Sequence, residues 1–556
     1  MSTFSKANIV AGENFNRWFV PPISISIHLC IGSVYAWSMF NPALTKILGV
    51  ASSAAGDWTL SDVVWIFSTA IIFLGMAAAF AGKWLEEVGP RLVGFVAACL
   101  WGGGFLVGSV GIFFHELSLV YLGYGVLGGC GLGLGHVSPV STLIRWFPDR
   151  RGMATGMAIM GFGGGAMIGA PLISYLLDLF HVAPAYLGSA NDLILKTIDG
   201  VRFAEINGML TEIVVVTTVE AQNSIYEPGV YIVGSGDTGA GMTFVSLGLG
   251  YFLIMAIASF GYRIPPENWK PKGWDESMRK NNTSPVTSEN VHIDEALKTP
   301  QFYFLWIVLC FNVTAGIGVL GVAKTMMSDI FSNALPTIVN TSFAATYVLM
   351  ISAFNMIGRF FWASTSDYIG RKNTYYIFFI LGIILYTSIP FAASEMSINP
   401  SVVLLIYFYA ATMIIFTMYG GGFATIPAYL ADIFGTKYVG GIHGRLLTAW
   451  STAGVIGPLA ITTLRSNSIE KAIMDLSQKV DPQKFSDLFG DTIDNISQLI
   501  ITKTVTIPKL MSIAPVGTND PTSTLYNSTM FLMAFLLAIA LVANYLIKPV
   551  DPRHHM

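Results

Sequence analysis

The chain has 556 residues, 53% of them hydrophobic and 11% charged, with a formal net charge of -3. Soluble domains carry about 25% charged residues, so this balance excludes a water-soluble core and assigns the chain to a bilayer. The net charge says little about partners, and no long basic run points to nucleic acid, so none is expected. Cys30, Cys99, Cys130 and Cys310 all sit in apolar runs, which excludes a disulfide framework or a cysteine-based metal site.

The chain opens with "MSTFSKANIVAGENFNRWFV", too polar for a cleavable signal. Apolar stretches of spanning length follow near 20–42, 62–83, 92–114, 118–142, 152–177 and 241–262. A polar segment at 263–300 separates them from a second group near 302–328, 342–365, 373–394, 402–430, 444–464 and 527–548. The expected fold is all-α and membrane-integral, with twelve spans in two six-helix halves, residues 1–262 and 301–556, joined by the linker 263–300.

Lysines and arginines in the short connections set the expected orientation. Arg17, Arg91, Arg145, Arg150, Arg151, the linker, Arg371, Lys372 and Arg553 share one side, which is expected to be cytoplasmic together with both termini. Two long inserts, 179–240 and 465–526, fall on the other side. The first is acidic and contains "TEIVVVTTVEAQ" and "GVYIVGSG", β-branched runs that suit a hairpin. The second contains "SIEKAIMDLSQKV", which has helical periodicity.

The two halves repeat. "GKWLEEVGPR" (82–91) after the second span aligns without gaps with "ASTSDYIGRK" (363–372) after the eighth, matching Glu86 with Asp367, Gly89 with Gly370 and Arg91 with Lys372. Pro139 and Pro171 on the fourth and fifth spans correspond to Pro427 and Pro458 on the tenth and eleventh. Paired halves of this kind indicate a transporter with its site between them.

These loops resemble the two copies of the loop signature of the major facilitator superfamily. "NRWFVPP", "GSVYAWSMF", "SPVSTLIRWFPDRRGMATGMAIMGFGGGA" and "LKTPQFYFLW" resemble the oxalate/formate antiporter family within it. The two inserts depart from that family. The resemblance implies a transporter of small carboxylates, not an enzyme, with no cofactor, working as a monomer in a cell membrane.

One charge stands out. Arg359 lies inside "ISAFNMIGRFFWASTSDYIGRK" (351–372), eight residues before Asp367, or about 12 Å of helical rise. A mid-span cation costs roughly 2.5–3.5 kcal/mol on insertion scales, so it is retained for a partner or a ligand. It either snorkels toward the headgroups or anchors an anion, because a guanidinium takes a carboxylate through two parallel hydrogen bonds. No Asp or Glu lies in mid-span; Asp62, Asp178, Asp329 and Asp432 are at edges. A cavity whose deep charge is an arginine suits an anion.

The resemblance agrees on Arg359 and implies cavity positions at Tyr35, Tyr124 and Tyr419. Dicarboxylate-taking members carry a second cation on span eleven. That position is Trp450 here, and Lys324 on span seven is the candidate substitute. With one anchor, a monocarboxylate such as lactate, pyruvate or formate is expected, by anion exchange or proton symport. The alternatives are an oxalate/formate-type dicarboxylate exchanger and, in another class, a transporter-like membrane sensor. Asn312 is a candidate polar contact. His28 and His136 are candidate proton carriers, against a reading as neutral packing residues; His443 is placed near the cytoplasmic surface. Gly161, Gly165 and Gly169 recur every four residues, a stripe for close helix packing. Glu86, Arg91, Asp367, Arg371 and Lys372 are expected to latch the cytoplasmic side.

Overall fold

The computed structural model describes residues 5–12, 14–198, 201–206, 208–216, 221, 225–266, 269–271, 289–489, 492–501, 505 and 507–556. Among the described residues, twelve helices are long and apolar enough to cross a membrane. They are spans 1 to 6 (Arg17–Met39, Asp62–Val88, Pro90–Phe113, Leu117–Trp146, Arg151–Phe180, Ala240–Phe260) and spans 7 to 12 (Pro300–Leu320, Ser342–Ile369, Arg371–Ile398, Val402–Phe434, Val439–Ser477, Pro521–Leu546). The bridges Val10–Ile264 and Val291–His555 tie both ends of the chain to the segment between spans 6 and 7. That side is called the terminal face below, and the opposite side the insert face.

Spans 1 to 6 pack among themselves, with span 3 on span 6 and span 5 on span 1. Spans 7 to 12 do the same, with span 8 on span 10 and span 9 on span 12. The two sets meet where span 5 lies against span 8 and span 2 against span 11. With lipid as solvent, packing of this kind rests on close backbone approach rather than on burial of apolar area. A Cβ on Gly32 would lie 2.1 Å from the Phe162 carbonyl oxygen, and one on Gly165 2.4 Å from that of Leu29. The glycine stripe of span 5 thus lies on span 1, with Gly161 against Ile25 and Gly169 against Ser33.

The internal repeat has a backbone counterpart. Spans 2 and 3 are joined through Gly89 (φ 88°) and spans 8 and 9 through Gly370 (φ 89°), both in a region that side chains disfavour. Span 1 changes character midway: an α-helix, Val20–Gly32, passes into a 3-10 stretch, Ser33–Met39, that carries Tyr35 and Trp37.

The inserts differ from expectation. Around the expected hairpin the first builds a five-stranded antiparallel sheet: β1 (Tyr186–Gly188), β2 (Leu195–Ile198), β3 (Val201–Ile206), β4 (Met209–Val216) and β5 (Gly229–Ile232), in the order β1-β5-β4-β3-β2. It rests on the loop after span 1, where Val214, Val216 and Tyr231 cover Ala51 and Ala54. The helical segment of the second insert is no separate element, because span 11 continues unbroken to Ser477. Parts of the 263–300 linker and of both inserts lie outside the described residues.

Candidate functional site

Arg359 is fully buried (0% exposed). Its side chain does not climb toward the terminal face. Nε donates to Asn355 Oδ1 (3.1 Å), one turn back toward the insert face, and Nη1 donates across the junction of the two sets to the Ile159 carbonyl of span 5 (3.2 Å). The snorkelling reading fails on this geometry. The guanidinium lies 5.6 Å from the centre of the Phe162 ring and 5.3 Å from that of Phe423, so two aromatic faces from opposite sets sandwich it. The Tyr35 hydroxyl lies near the guanidinium, but Nη2 makes no hydrogen bond of normal geometry among the described residues, and none of their ion pairs includes Arg359.

Small residues make this placement fit. A Cβ on Gly163 of span 5 would lie 3.2 Å from Arg359 Nε, and one on Gly420 of span 10 would lie 3.1 Å from Arg359 Cγ. A β-carbon at either position crowds the arginine.

Trp450 completes the cage from span 11. Its ring centre is 4.6 Å from Phe423, 5.3 Å from Phe162 and 6.3 Å from Tyr35, and its Nε1, on the Tyr35 side, makes no hydrogen bond of normal geometry among the described residues. On the insert side of this layer the Tyr35 and Tyr419 hydroxyls, from spans 1 and 10, face each other at 3.4 Å. Beside the same layer stand His28 and His136, with Nε2 and Nδ1 3.2 Å apart, followed by His443, its ring 5.6 Å from that of His136. His443 is 1% exposed and lies beneath the surface, not at it as expected, because span 11 tucks Gly440, Gly441 and Gly444 against span 2.

Other expected site residues lie elsewhere. Tyr124 stands within the first set among Trp37 (4.3 Å), Phe105 and Trp101, away from Arg359. Asn312 is buried against Gly422, one residue from Phe423. The Lys324 side chain lies outside the described residues. Asn355, Phe162 and Phe423 were not singled out by sequence. Only Asn355 carries a readable signal, since it lies four residues before Arg359 on the same helix face.

The terminal face is closed across the junction. Asp367 of span 8 accepts the backbone amides of Gly152 and Met153 at the N-terminus of span 5, each at 2.9 Å, and is paired with Arg371. A helix N-terminus favours such an anion. Asp432, absent from the expected latch, pairs with Arg371 (3.4 Å) in its own set and with Arg151 (3.6 Å) in the other. Glu86 pairs with Arg145 within the first set. Arg91 donates to Tyr262 O, and Lys372 to Tyr545 O and Ile547 O, bonds that lie within their own sets. The hydrogen bonds that join the sets run from this layer through Arg359, and through Ser451 to Ile71 O (2.7 Å), up to Tyr35 and Tyr419.

Outside the spans, Asp294 lies below the usual carboxylate range because Arg445 hydrogen-bonds it, and burial pushes Tyr226 up to about 12.

Twelve spans in two sets, meeting around a buried cation and closed at one face, define a membrane transporter rather than an enzyme. The chain belongs to the Major Facilitator Superfamily, which matches residues 28–190 and 230–458. It is 25% identical over 449 residues to the oxalate:formate antiporter of Oxalobacter formigenes, covering 80% of this chain and 83% of that one. It is 23% identical over 465 residues to apicoplast pyruvate carrier 1 of Toxoplasma gondii, covering 76% and 78%. A shorter match, 32% over 151 residues, joins it to human monocarboxylate transporter 11, covering 27% and 31%. Among solved structures, the Escherichia coli fucose:proton symporter superposes with a TM-score of 0.54 at 10% identity, covering 95% of this chain and 99% of that one. A bacterial homologue of the lysosomal transporter Spinster gives 0.52 at 13% identity, covering 96% and 97%. These superpositions establish the fold.

Proposed function

We propose that this transporter moves small monocarboxylates across a cell membrane by alternating access, with the terminal face and both termini in the cytoplasm. The observation that carries this reading is Arg359, buried, with no acidic partner among the described residues and Nη2 unpaired. A buried cation left alone costs several kcal/mol. A substrate carboxylate that accepts from Nη2 supplies the missing charge and the missing acceptor together. Phe162, Phe423 and Trp450 offer apolar walls to a short carbon skeleton, and the Tyr35 and Tyr419 hydroxyls can donate to its oxygens.

The substrate enters from the insert side as Tyr35 and Tyr419 part. It binds Arg359 and leaves once the layer around Asp367 and Asp432 opens. Each closed layer contains few bonds, which keeps the two states close in energy. The relatives, an oxalate:formate antiporter, a pyruvate carrier and monocarboxylate transporters, support the carboxylate reading.

One observation favours a monocarboxylate over oxalate. The resemblance puts the second cation of dicarboxylate carriers at Trp450, and a neutral ring fills that place. Counterflow of labelled pyruvate in proteoliposomes, challenged with lactate, formate and oxalate, tests both points. Competition by the monocarboxylates ahead of oxalate is expected. Dominant competition by oxalate favours the dicarboxylate exchanger, and saturable binding without flux favours a sensor.

A further inference from the structure

Against the Arg359 cage, and reaching from it toward the closed terminal face, lies a group of three buried histidines that carboxylate binding does not use. His28 of span 1 and His136 of span 4 are both 0% exposed, and His443 of span 11 is 1% exposed. His136 Nε2 and both ring nitrogens of His443 have no hydrogen-bond partner among the described residues. Native proteins rarely bury a polar group in this way without a purpose. Phe423 bridges the layers, 5.3 Å from the His136 ring and 5.3 Å from the Arg359 guanidinium. The group also straddles the junction, since His28 and His136 belong to the first set and His443 to the second. Parting of the terminal face therefore separates His443 from the other two.

We propose that His28, His136 and His443 form a proton site that makes the transporter a proton–carboxylate symporter; this rests on the carboxylate reading above. A histidine is the side chain that takes or releases a proton near neutrality. The charges facing the group decide when it does so. From span 8 comes Arg359, whose field reaches His28 and His136. Spans 5 and 10 contribute the Phe162 and Phe423 rings and span 11 the neutral Trp450, all against His136, while the Tyr262 phenol at the end of span 6 lies by Ser24 and Ser138. On the terminal side, Glu86 of span 2 borders Gly440 but is held by Arg145 of span 4. Glu86 Oε1 has no hydrogen-bond partner among the described residues, but its charge is matched by Arg145, which leaves no surplus carboxylate to balance a second cation.

A proton on the histidines beside an empty Arg359 therefore meets an uncompensated positive charge. A carboxylate on Arg359 removes that repulsion and adds a counter-charge. Carboxylate and proton bind more tightly together than apart, and by linkage each raises the affinity of the other by the same factor. One proton and one monocarboxylate cross together with no net charge, and the proton leaves when the terminal face opens and His443 moves away.

The test uses full-length protein in proteoliposomes with labelled pyruvate and an imposed pH gradient, alkaline inside. Wild type is expected to accumulate pyruvate about tenfold per pH unit, the ratio for a one-to-one symport. His136→Gln and His443→Gln are expected to lose gradient-driven accumulation, with counterflow weakened because pyruvate no longer gains the affinity that the proton lends it. Variants that accumulate like wild type overturn the histidine assignment. Wild-type counterflow with no response to the gradient overturns symport while leaving the carboxylate reading intact, and absence of counterflow fells both. Because a variant can fail to fold, calorimetric titration of wild type with pyruvate in two buffers of different ionisation enthalpy gives a second reading. Uptake of about one proton per pyruvate supports the proposal, and zero overturns it.

Discussion

Replacing Asp367 by Asn perturbs the closed face at its most connected acid. The carboxylate accepts the Gly152 and Met153 amides at 2.9 Å each, across the junction of the two sets. Hydrogen bonds to a charged group contribute about 1.5–3 kcal/mol each and neutral ones about 1 kcal/mol. Asn keeps one acceptor oxygen, so one bond weakens, and the other oxygen becomes an NH2 that faces a backbone donor. Arg371 retains Asp432 at 3.4 Å, which limits collateral damage. The closed face should lose about 2–4 kcal/mol relative to the open one, a shift of about 30- to 1,000-fold in the ratio of the two states. The assay is the pulsed electron-resonance distance between nitroxides at Glu87→Cys and Lys437→Cys, both exposed on this face, with the four native cysteines replaced. A longer component should appear, or grow, in Asp367→Asn. An unchanged distance distribution in a folded variant would refute the assignment of this acid as a gate.

Trp450→Lys should lower the concentration of oxalate needed to block pyruvate uptake relative to that of lactate, since it supplies a second cation in the cage; an unchanged ratio would mean the second anchor lies elsewhere. Gly163→Ala places a carbon 3.2 Å from Arg359 Nε and should weaken pyruvate binding about tenfold, or about 1.4 kcal/mol. Gly103→Ala, where a Cβ meets nothing within 4 Å, should leave binding unchanged. Replacing residues 183–236 with a short flexible linker should leave uptake measurable while lowering the melting temperature, because Ala51 and Ala54 lose the cover of Val214, Val216 and Tyr231; loss of uptake in a variant that still reaches the membrane would give the insert a role in transport.

The elements legible in sequence are those with a one-dimensional signal. Apolar runs of spanning length locate the helices, and aligned loops locate the paired turns at Gly89 and Gly370. Arg359 is conspicuous because nothing else charged stands in mid-span. What it touches is not legible. The chain has 37 phenylalanines, and no spacing rule selects Phe162 and Phe423, which reach the guanidinium only because two helix sets meet there. Tyr124 shows the same limit from the other side, since an aromatic on span 4 can face its own set as easily as the junction. Asp432 and Arg151 look like edge charges until span 10 is placed beside span 5. In the first insert, β2 and β3 carry Lys196, Arg202 and Glu205 between their apolar residues. They lack the long β-branched run that marks β4.

The central claim is that Arg359 holds the substrate, and thermal unfolding of the purified protein with and without pyruvate tests it most directly. A ligand bound only to the folded state at 100 times its Kd adds about 2.7 kcal/mol of stability. Wild type should therefore show a clear pyruvate-induced rise in melting temperature. Arg359→Lys keeps the charge but loses the planar fork, and should show a smaller rise. Arg359→Gln should fold, because a neutral amide is cheaper to bury than an unpaired cation, and should show no rise. A full pyruvate-induced rise in Arg359→Gln would contradict the account and place the anion anchor elsewhere.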